Sequence, residues 1–584
     1  MGTPTAAIPA WLAKKYPAVL SEFENGAKRS FGGRHVYCFN SREMYTYTER
    51  IVRAMAEHYK DEKAIVAWQI DNEIGHEDSD MCYCSQCRDA FRFYLRRRFG
   101  GDIHALNETY GTTFWSQEYN DFDEIPLPAP TITTHNPALR LDWERFRSRS
   151  IERFVSFQAQ LLREIIPGVV LIHDFPGGLG KHADYSRVAG ELDVAAYNNY
   201  PVWGGQREPL APNEIAFGLD YIRGLKGKNF WITEAIMGAQ GHDVTGFSPR
   251  PNQAKLWAYQ SMARGCQSLF FFRYRGGTKG AEQFCYGVLD ADNVKRRKFY
   301  EVQSFFRDIR QYASQLKSPI DSKVAIVYDY DSLASFRIQR QSLLLDCETE
   351  MKKYHKFFYD RNVPVDIVPA QGELGGYSLL ILPQMIVAKP EFQAKLRGFV
   401  EQGGTLVLSY RDFVKDIHNN LALGKQLPVD FDGFAGLCVT ETESLQAGQS
   451  FPLRGEGEFA GARGEGGIFR EMLESQGAEV LLAYDEPFYR DFAAAARMRR
   501  GAGSVYYLGC GLEEKLLTKV LEKAALEQGI SPEPSAPGVE VVCRGSGSEA
   551  LRMVMNHNPY PAEYAGEQLE PFQCLVRPLS GEPG

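Results

Sequence analysis

The chain has 584 residues, with 66 Lys and Arg against 74 Asp and Glu, giving a formal net charge of −8. That length exceeds what one hydrophobic core can organise and predicts about two to four domains. The acidic balance leaves no basic stripe to neutralise phosphates, and no apolar run reaches the roughly 18 residues of a membrane span, so the reading excludes a nucleic-acid partner and a membrane-spanning helix.

In chain order, the opening "MGTPTAAIPAWLAKKYP" lacks a basic segment ahead of an apolar one, so the chain reads as unsecreted and cytoplasmic. Short apolar runs then alternate with helical patterns: "AIVAWQI" (64–70), "VVLIHDF" (169–175), "LDVAAYNNY" (192–200), "NFWITEA" (229–235) and "SLFFFRYR" (268–275). Nearly continuous apolar strands separated by helices predict a parallel sheet buried on both faces. Polar residues gather at the strands' C-terminal ends, namely Glu73, Asp174, Asn198, Glu234 and Arg273. That distribution predicts a TIM (β/α)8-type barrel over residues 1–318, with its site at that end.

A second βα region, 319–535, carries "KVAIVYDY", "VPVDIVPA", "YSLLILPQ", "GTLVLSY" and "GSVYYLG" and predicts an open doubly wound α/β domain. Its "RGEGEFAGARGEGG" lies outside any strand-to-helix turn and reads as a loop rather than a phosphate cradle. "SPEPSAP" (531–537) reads as a linker, and 536–584 as a small antiparallel β domain.

Two features carry chemistry. Glu73 and Glu234 each end a hydrophobic strand, where a carboxylate is costly unless paired or used. Two of them converging on one rim suit the acid/base and nucleophile pair of a retaining glycosidase, and Asn72 could bond a sugar hydroxyl beside Glu73. The second feature is Cys82, Cys84 and Cys87, spaced C-x-C-x₂-C, the one tight group among 11 cysteines. Such spacing suits tetrahedral zinc, either as an open three-ligand site or as a structural site closed by a fourth ligand.

The segments "RSFGGRHVYCFNS", "WQIDNEIGHE", "CYCSQCRDAFRFYLRRRFG", "ALNETYGTTFWSQEYNDFDEI", "NPALRLDWERF" and "FWITEA" together resemble glycoside hydrolase family 42, the β-galactosidases of microbial sugar metabolism. The resemblance implies Glu73 as general acid/base and Glu234 as nucleophile. It implies substrate contacts from Arg34, Asn72, Trp115, Tyr200 and Glu282, and a galactose-containing oligosaccharide as substrate. It also implies that Cys38 completes a structural zinc site, one ion per chain, with no organic cofactor. The later regions resemble the family's trimerisation domain and small C-terminal domain, implying a homotrimer. The second region also resembles class I glutamine amidotransferases in strand order. No nucleophilic cysteine follows its "LLILP" strand, so its expected role is assembly.

Two departures bear on the sugar. No tryptophan stands between Trp231 and Trp257, where relatives wall the sugar site, and Cys285 stands where relatives place a histidine. His242 in the variant loop reads as a plain loop histidine. The loop resembles a subgroup linked to rhamnogalacturonan side-chain breakdown. The sibling reading is an α-L-arabinopyranosidase; the readings from other classes are a zinc-dependent hydrolase and a non-catalytic scaffold. Against zinc catalysis, His76 and Glu77 lack an HExxH-type spacing. Five complete strands are counted, and "GTPTAA" resembles the end of another. The expectation is therefore a barrel lacking its first two βα units, poorly soluble or inactive as written.

Overall fold

The computed structural model describes residues 1–179, 183–545 and 550–579. Five strands, β1 (Trp68–Gln69), β2 (Leu171–Phe175), β3 (Val194–Asn199), β4 (Phe230–Ala235) and β5 (Cys266–Phe271), form one parallel sheet in the order β1-β2-β3-β4-β5. The strand order matches the chain order, as the alternation of apolar runs and helices predicts for right-handed βαβ units. β1 is far shorter than its apolar run. Its outer side is met by Gly2, which bridges Gln69 in parallel fashion, with Thr3 N donating to Gln69 O at 2.9 Å. Among the described residues nothing pairs with the far side of β5, where Phe270 is 47% exposed. The sheet is therefore open at β5, while β2 is buried along its whole length.

The helix Pro137–Ile165 packs beneath this sheet. Its start is fixed by Asn136, whose Oδ1 accepts from Ala138 N and Leu139 N, with Pro137 in the first turn. Its outer face also packs against Phe91, Leu95, Leu106 and Tyr110, which holds the 82–135 insertion against the barrel.

The second region is built on β6 (Val324–Tyr328), β7 (Val365–Pro369), β8 (Leu379–Leu382) and β9 (Thr405–Ser409), all parallel, in the order β7-β6-β8-β9. The strand Gly503–Leu508 joins β9 in parallel, and the sheet then continues as antiparallel strands drawn from 437–500. That extension changes one expectation. "RGEGEFAGARGEGG" is not a plain loop; it holds the end of the strand Phe451–Gly455 and the start of Arg463–Ser475. Its glycines serve close packing: a Cβ on Gly466 would stand 2.3 Å from the Phe451 ring. Val539–Arg544, Leu551–Asn556 and Cys574–Pro578 form a small antiparallel sheet near the end.

Candidate active site

The turn after β1 is held in an unusual backbone conformation. Asp71 and Glu73 have φ of 59° and 44°, a left-handed region that side chains rarely adopt without outside support. The support comes from Asp71, which is buried and accepts from Thr5 Oγ1 (2.5 Å), Tyr37 OH (3.0 Å) and its neighbour Asn72 N (2.7 Å), and contacts His35 Nε2 at 3.0 Å. A buried carboxylate anchors the turn, and the turn aims Asn72 and Glu73 over the end of the sheet.

Glu73 is clamped there. Arg34 Nη2 donates to its Oε2 at 2.8 Å and Asn198 Nδ2 to its Oε1 at 3.0 Å. Its backbone N donates to Asp174 Oδ1 at 3.1 Å. With its amide oriented to satisfy both neighbours, Asn72 donates to Asp174 Oδ2 at 2.8 Å and accepts from Arg34 Nη1 at 3.2 Å. Glu234 leaves the end of β4 and accepts a hydrogen bond from the Tyr200 hydroxyl. Thr233 Oγ1 donates to Asn198 Oδ1 at 3.0 Å, tying the β4 end to the β3 end.

Glu73 and Glu234 line one cavity of about 670 Å³ together with Arg34, Asn72, Asn198, Tyr200, Phe272 and Glu282. Burial pushes the Glu234 carboxyl up to about 7, opposed by the Tyr200 hydrogen bond and aided by the charges of Glu73 and Glu282. Burial also raises Asp174 well above the usual carboxylate range, with Glu234 and Glu73 adding to it.

Of the expected contacts, Arg34, Asn72, Tyr200 and Glu282 reach this cavity, Glu282 while paired to Arg273. Trp115 does not; it is 59% exposed, beside Phe114 and outside the cavity lining. Cys285 is buried under the loop, its Sγ 3.7 Å from Gly241 O. His242, in the loop, lines the cavity, edge-on to Trp203 at 5.4 Å. Asp174 and Asn198 stood out in sequence as polar strand ends without a role, and both bond Glu73. Trp203 and Phe272 lie just beyond β3 and β5, and their sequence carried no separate signal.

The four cysteines meet elsewhere. Cys38, Cys82, Cys84 and Cys87 are buried, with all four sulfurs within 4.8 Å of one another. Asn40 donates from its backbone N to Cys38 Sγ and from Nδ2 to Cys87 Sγ, each at 3.3 Å. None of the four lines the cavity. The group is a candidate metal centre that anchors the insertion after β1.

The chain is similar to known proteins over most of its length. The family profile described as "Beta-galactosidase" (glycoside hydrolase family 42) matches residues 1–312, and that described as "Beta-galactosidase trimerisation domain" matches 322–531. The chain is 33% identical over 535 residues to Beta-galactosidase BgaA of Clostridium cellulovorans, covering 90% of this chain and 79% of that one. It is 32% identical to Beta-galactosidase BgaH of Haloferax lucentense, covering 90% and 80%. Among solved structures, a β-galactosidase from Bacillus circulans sp. alkalophilus superposes with a TM-score of 0.91 at 28% identity, covering 99% of this chain and 87% of that one.

Proposed function

The chain belongs to glycoside hydrolase family 42, and from that premise we propose a retaining β-galactosidase in which Glu73 is the general acid/base and Glu234 the nucleophile. The carrying observation is that both glutamates, from the ends of β1 and β4, line one cavity and are tied together through Asn198 and Thr233.

In the first step, Glu234 attacks the anomeric carbon while Glu73 gives its proton to the departing glycosidic oxygen; the C–O bond breaks and a glycosyl ester forms. In the second, Glu73 takes a proton from water as the water attacks, releasing the sugar with retained configuration and restoring both carboxyls. This mechanism requires one proton in the pair, on Glu73, when Glu234 attacks. Arg34, Asn72, Tyr200 and Glu282 are assigned as substrate contacts. Trp115, outside the cavity of its own protomer, would act there only from a neighbouring copy. The trimerisation-domain match supports a homotrimer as the assembly.

Cys38, Cys82, Cys84 and Cys87 are assigned to one structural zinc. A tetrahedral shell with Zn–S bonds of about 2.3 Å sets sulfurs about 3.8 Å apart. The Cys38–Cys87 and Cys38–Cys84 separations of 3.3 and 3.6 Å support this. The ion would staple the insertion that follows the Glu73 turn and take no part in bond cleavage.

The test is a panel of nitrophenyl glycosides, including the α-L-arabinopyranoside, and turnover by residues 1–584 would set aside the expectation that five barrel strands are too few for activity. Turnover is highest on the β-galactoside. Glu234→Gln removes it for every leaving group. Glu73→Gln costs about 10²–10⁴-fold with poor leaving groups and far less with dinitrophenolate, which needs no proton. Azide partly rescues Glu73→Ala. Equal losses for all leaving groups in both variants would overturn the roles.

A further inference from the structure

Beside the catalytic pair stands a third carboxyl that has no bond to make or break. Asp174, near the end of β2, is fully buried and does not line the cavity, so it is out of reach of a substrate. Its two oxygens collect three N–H donors. Oδ1 accepts from Glu73 N at 3.1 Å; Oδ2 accepts from Asn198 Nδ2 at 3.0 Å and from Asn72 Nδ2 at 2.8 Å. All three donors belong to residues that do line the cavity.

A buried carboxyl is ordinarily held by a cation, and among the described residues none takes that place here. His173 Nδ1 is 3.6 Å from Asp174 Oδ1, but it lies 2.7 Å from Ile70 O, which can only accept, while Nε2 accepts from Ile74 N. The ring therefore carries one proton, on Nδ1, aims it at Ile70 and is neutral. Arg34 is spent on Glu73, Glu77 and Asn72. What Asp174 supplies is direction. An amide has an accepting end and a donating end, and Asp174 decides which way two of them face. By drawing Asn198 Nδ2 it turns Asn198 Oδ1 to Thr233 and leaves Nδ2 shared with Glu73 Oε1. By drawing Asn72 Nδ2 it leaves the Asn72 oxygen to Arg34, whose other nitrogen holds Glu73 Oε2. Its third bond ties down the Glu73 backbone at φ 44°. One hidden group thus sets the Glu73 backbone and both partners of its carboxyl.

We infer that Asp174 is a positioning residue for the acid/base, acting on the reaction through Glu73 and the two asparagines beside it. The inference rests on the reading of Glu73 as the proton donor to the leaving group. It goes beyond that reading in naming a residue that touches no substrate and yet governs how well the proton is delivered.

The experiment compares kcat/KM, which reports the steps up to glycosyl-ester formation, for phenyl and dinitrophenyl β-galactoside. Phenolate leaves poorly and needs the Glu73 proton; dinitrophenolate does not. The proteins are the unaltered full chain, Asp174→Asn, Glu73→Gln and the double variant. Asp174→Asn keeps the size, but whichever way the new amide turns, its NH2 faces an N–H donor. It costs about 10–100-fold on the phenyl galactoside and about tenfold less than that on the dinitrophenyl one, as expected for a misaimed proton donor. In the Glu73→Gln background the excess on the phenyl galactoside disappears, because the group that Asp174 aims is gone. Asn198→Ala cuts the same bridge from the cavity side and shows the same excess, which decides the matter should Asp174→Asn not fold. A loss that is equal on both substrates, or an excess that persists without the Glu73 carboxyl, overturns the inference and leaves the activity standing. If Glu73→Gln itself loses equally on both substrates, or if the unaltered chain cleaves neither, the acid/base reading falls and the inference falls with it.

Discussion

Two buried clusters of charge lie in this molecule, and their burial is similar while their chemistry is opposite. One is the site cluster of Glu73, Asp174 and Glu234. The other joins three regions of the chain: Asp220 and Arg264 from the barrel, His355 from the second domain and Glu540 from the last strands. Asp220 accepts from Arg223 (2.6 Å) and Arg264 (2.5 Å) and contacts His355 at 2.8 Å. Glu540 accepts from Arg264 (2.8 Å), Gln260 (2.8 Å) and Tyr359 (3.1 Å) and contacts His557 at 2.8 Å. Burial would push Asp220 up, but Arg264, Arg223 and His355 overcome it and hold the carboxyl at about 2. Glu540 is lowered in the same way, with Arg264 and His557 outweighing burial. In the site, burial wins instead: Glu234 rises to about 7 and Asp174 well above the usual range. Burial alone therefore does not mark a catalytic carboxylate. What separates the site from this network is burial with too few cations, which favours the protonated carboxyl near neutral pH.

The contrast predicts how each cluster breaks. Arg264→Ala strips one cation from both Asp220 and Glu540 and leaves buried carboxylates uncompensated. We expect a loss of about 3–5 kcal/mol in urea unfolding, with a folded remainder that still binds sugar. A loss below about 1 kcal/mol would mean the network is not what joins the three regions.

Asp220→Asn tests the same cluster by pH. A carboxyl held at about 2 contributes stability that is present above its ordinary value and lost as pH falls through about 2. The variant should be less stable by about 2 kcal/mol at pH 7, and the gap should narrow as pH drops from about 4 toward 2. A gap that is flat across that window would deny the charge its role.

Glu234→Gln should behave in the opposite sense. A carboxyl raised to about 7 binds its proton more tightly folded than unfolded, so the unaltered protein loses stability as pH climbs from its ordinary value through about 7. The inactive Gln variant escapes that loss. Its advantage should be near zero at pH 4 and about 1–2 kcal/mol at pH 8, discounted for the partial exposure of the group. Thermal denaturation across pH settles it: a Gln variant less stable at pH 8 than the unaltered protein would erase the difference between the two clusters.

How much of this was legible in sequence follows from the range of the forces involved. The strands of both α/β regions are continuous apolar runs, and their period and flanking turns are local properties, so they could be read directly. The carboxylates at the ends of β1 and β4 were legible for the same reason, because a charge closing a buried strand violates a local rule. The fourth cysteine was not, since Cys38 lies far from the triplet in sequence and only the resemblance supplied it. The Asp220–Glu540 network was invisible: its members look like ordinary helix and strand residues until three regions fold against one another. The antiparallel half of the second sheet was hidden by its glycines, which read as loop but allow close cross-strand approach at Gly466 and Phe451. The rise of the Glu234 carboxyl was also out of reach, because it depends on which neighbours bury it.

The smallest effect falls on a single neutral donor. The Tyr200 hydroxyl bonds Glu234 and opposes the burial that raises it. It lowers Glu234 more than the Arg34 guanidinium beside Glu73 does, but it carries no charge, so it can only moderate the shift. Tyr200→Phe removes the donor and leaves the ring in place, and Glu234 should then move further up. In the proposed mechanism attack requires Glu234 ionised, so the acidic limb of the kcat/KM profile should shift to higher pH, by at most about one unit. A modest drop in the plateau should accompany it, since Tyr200 also lines the cavity. The measurement is a pH profile on nitrophenyl β-galactoside for both proteins. A limb that moves to lower pH would mean that Tyr200 holds the proton on Glu234 rather than easing its release, and the site would then lie closer in kind to the structural network than to a catalytic pair.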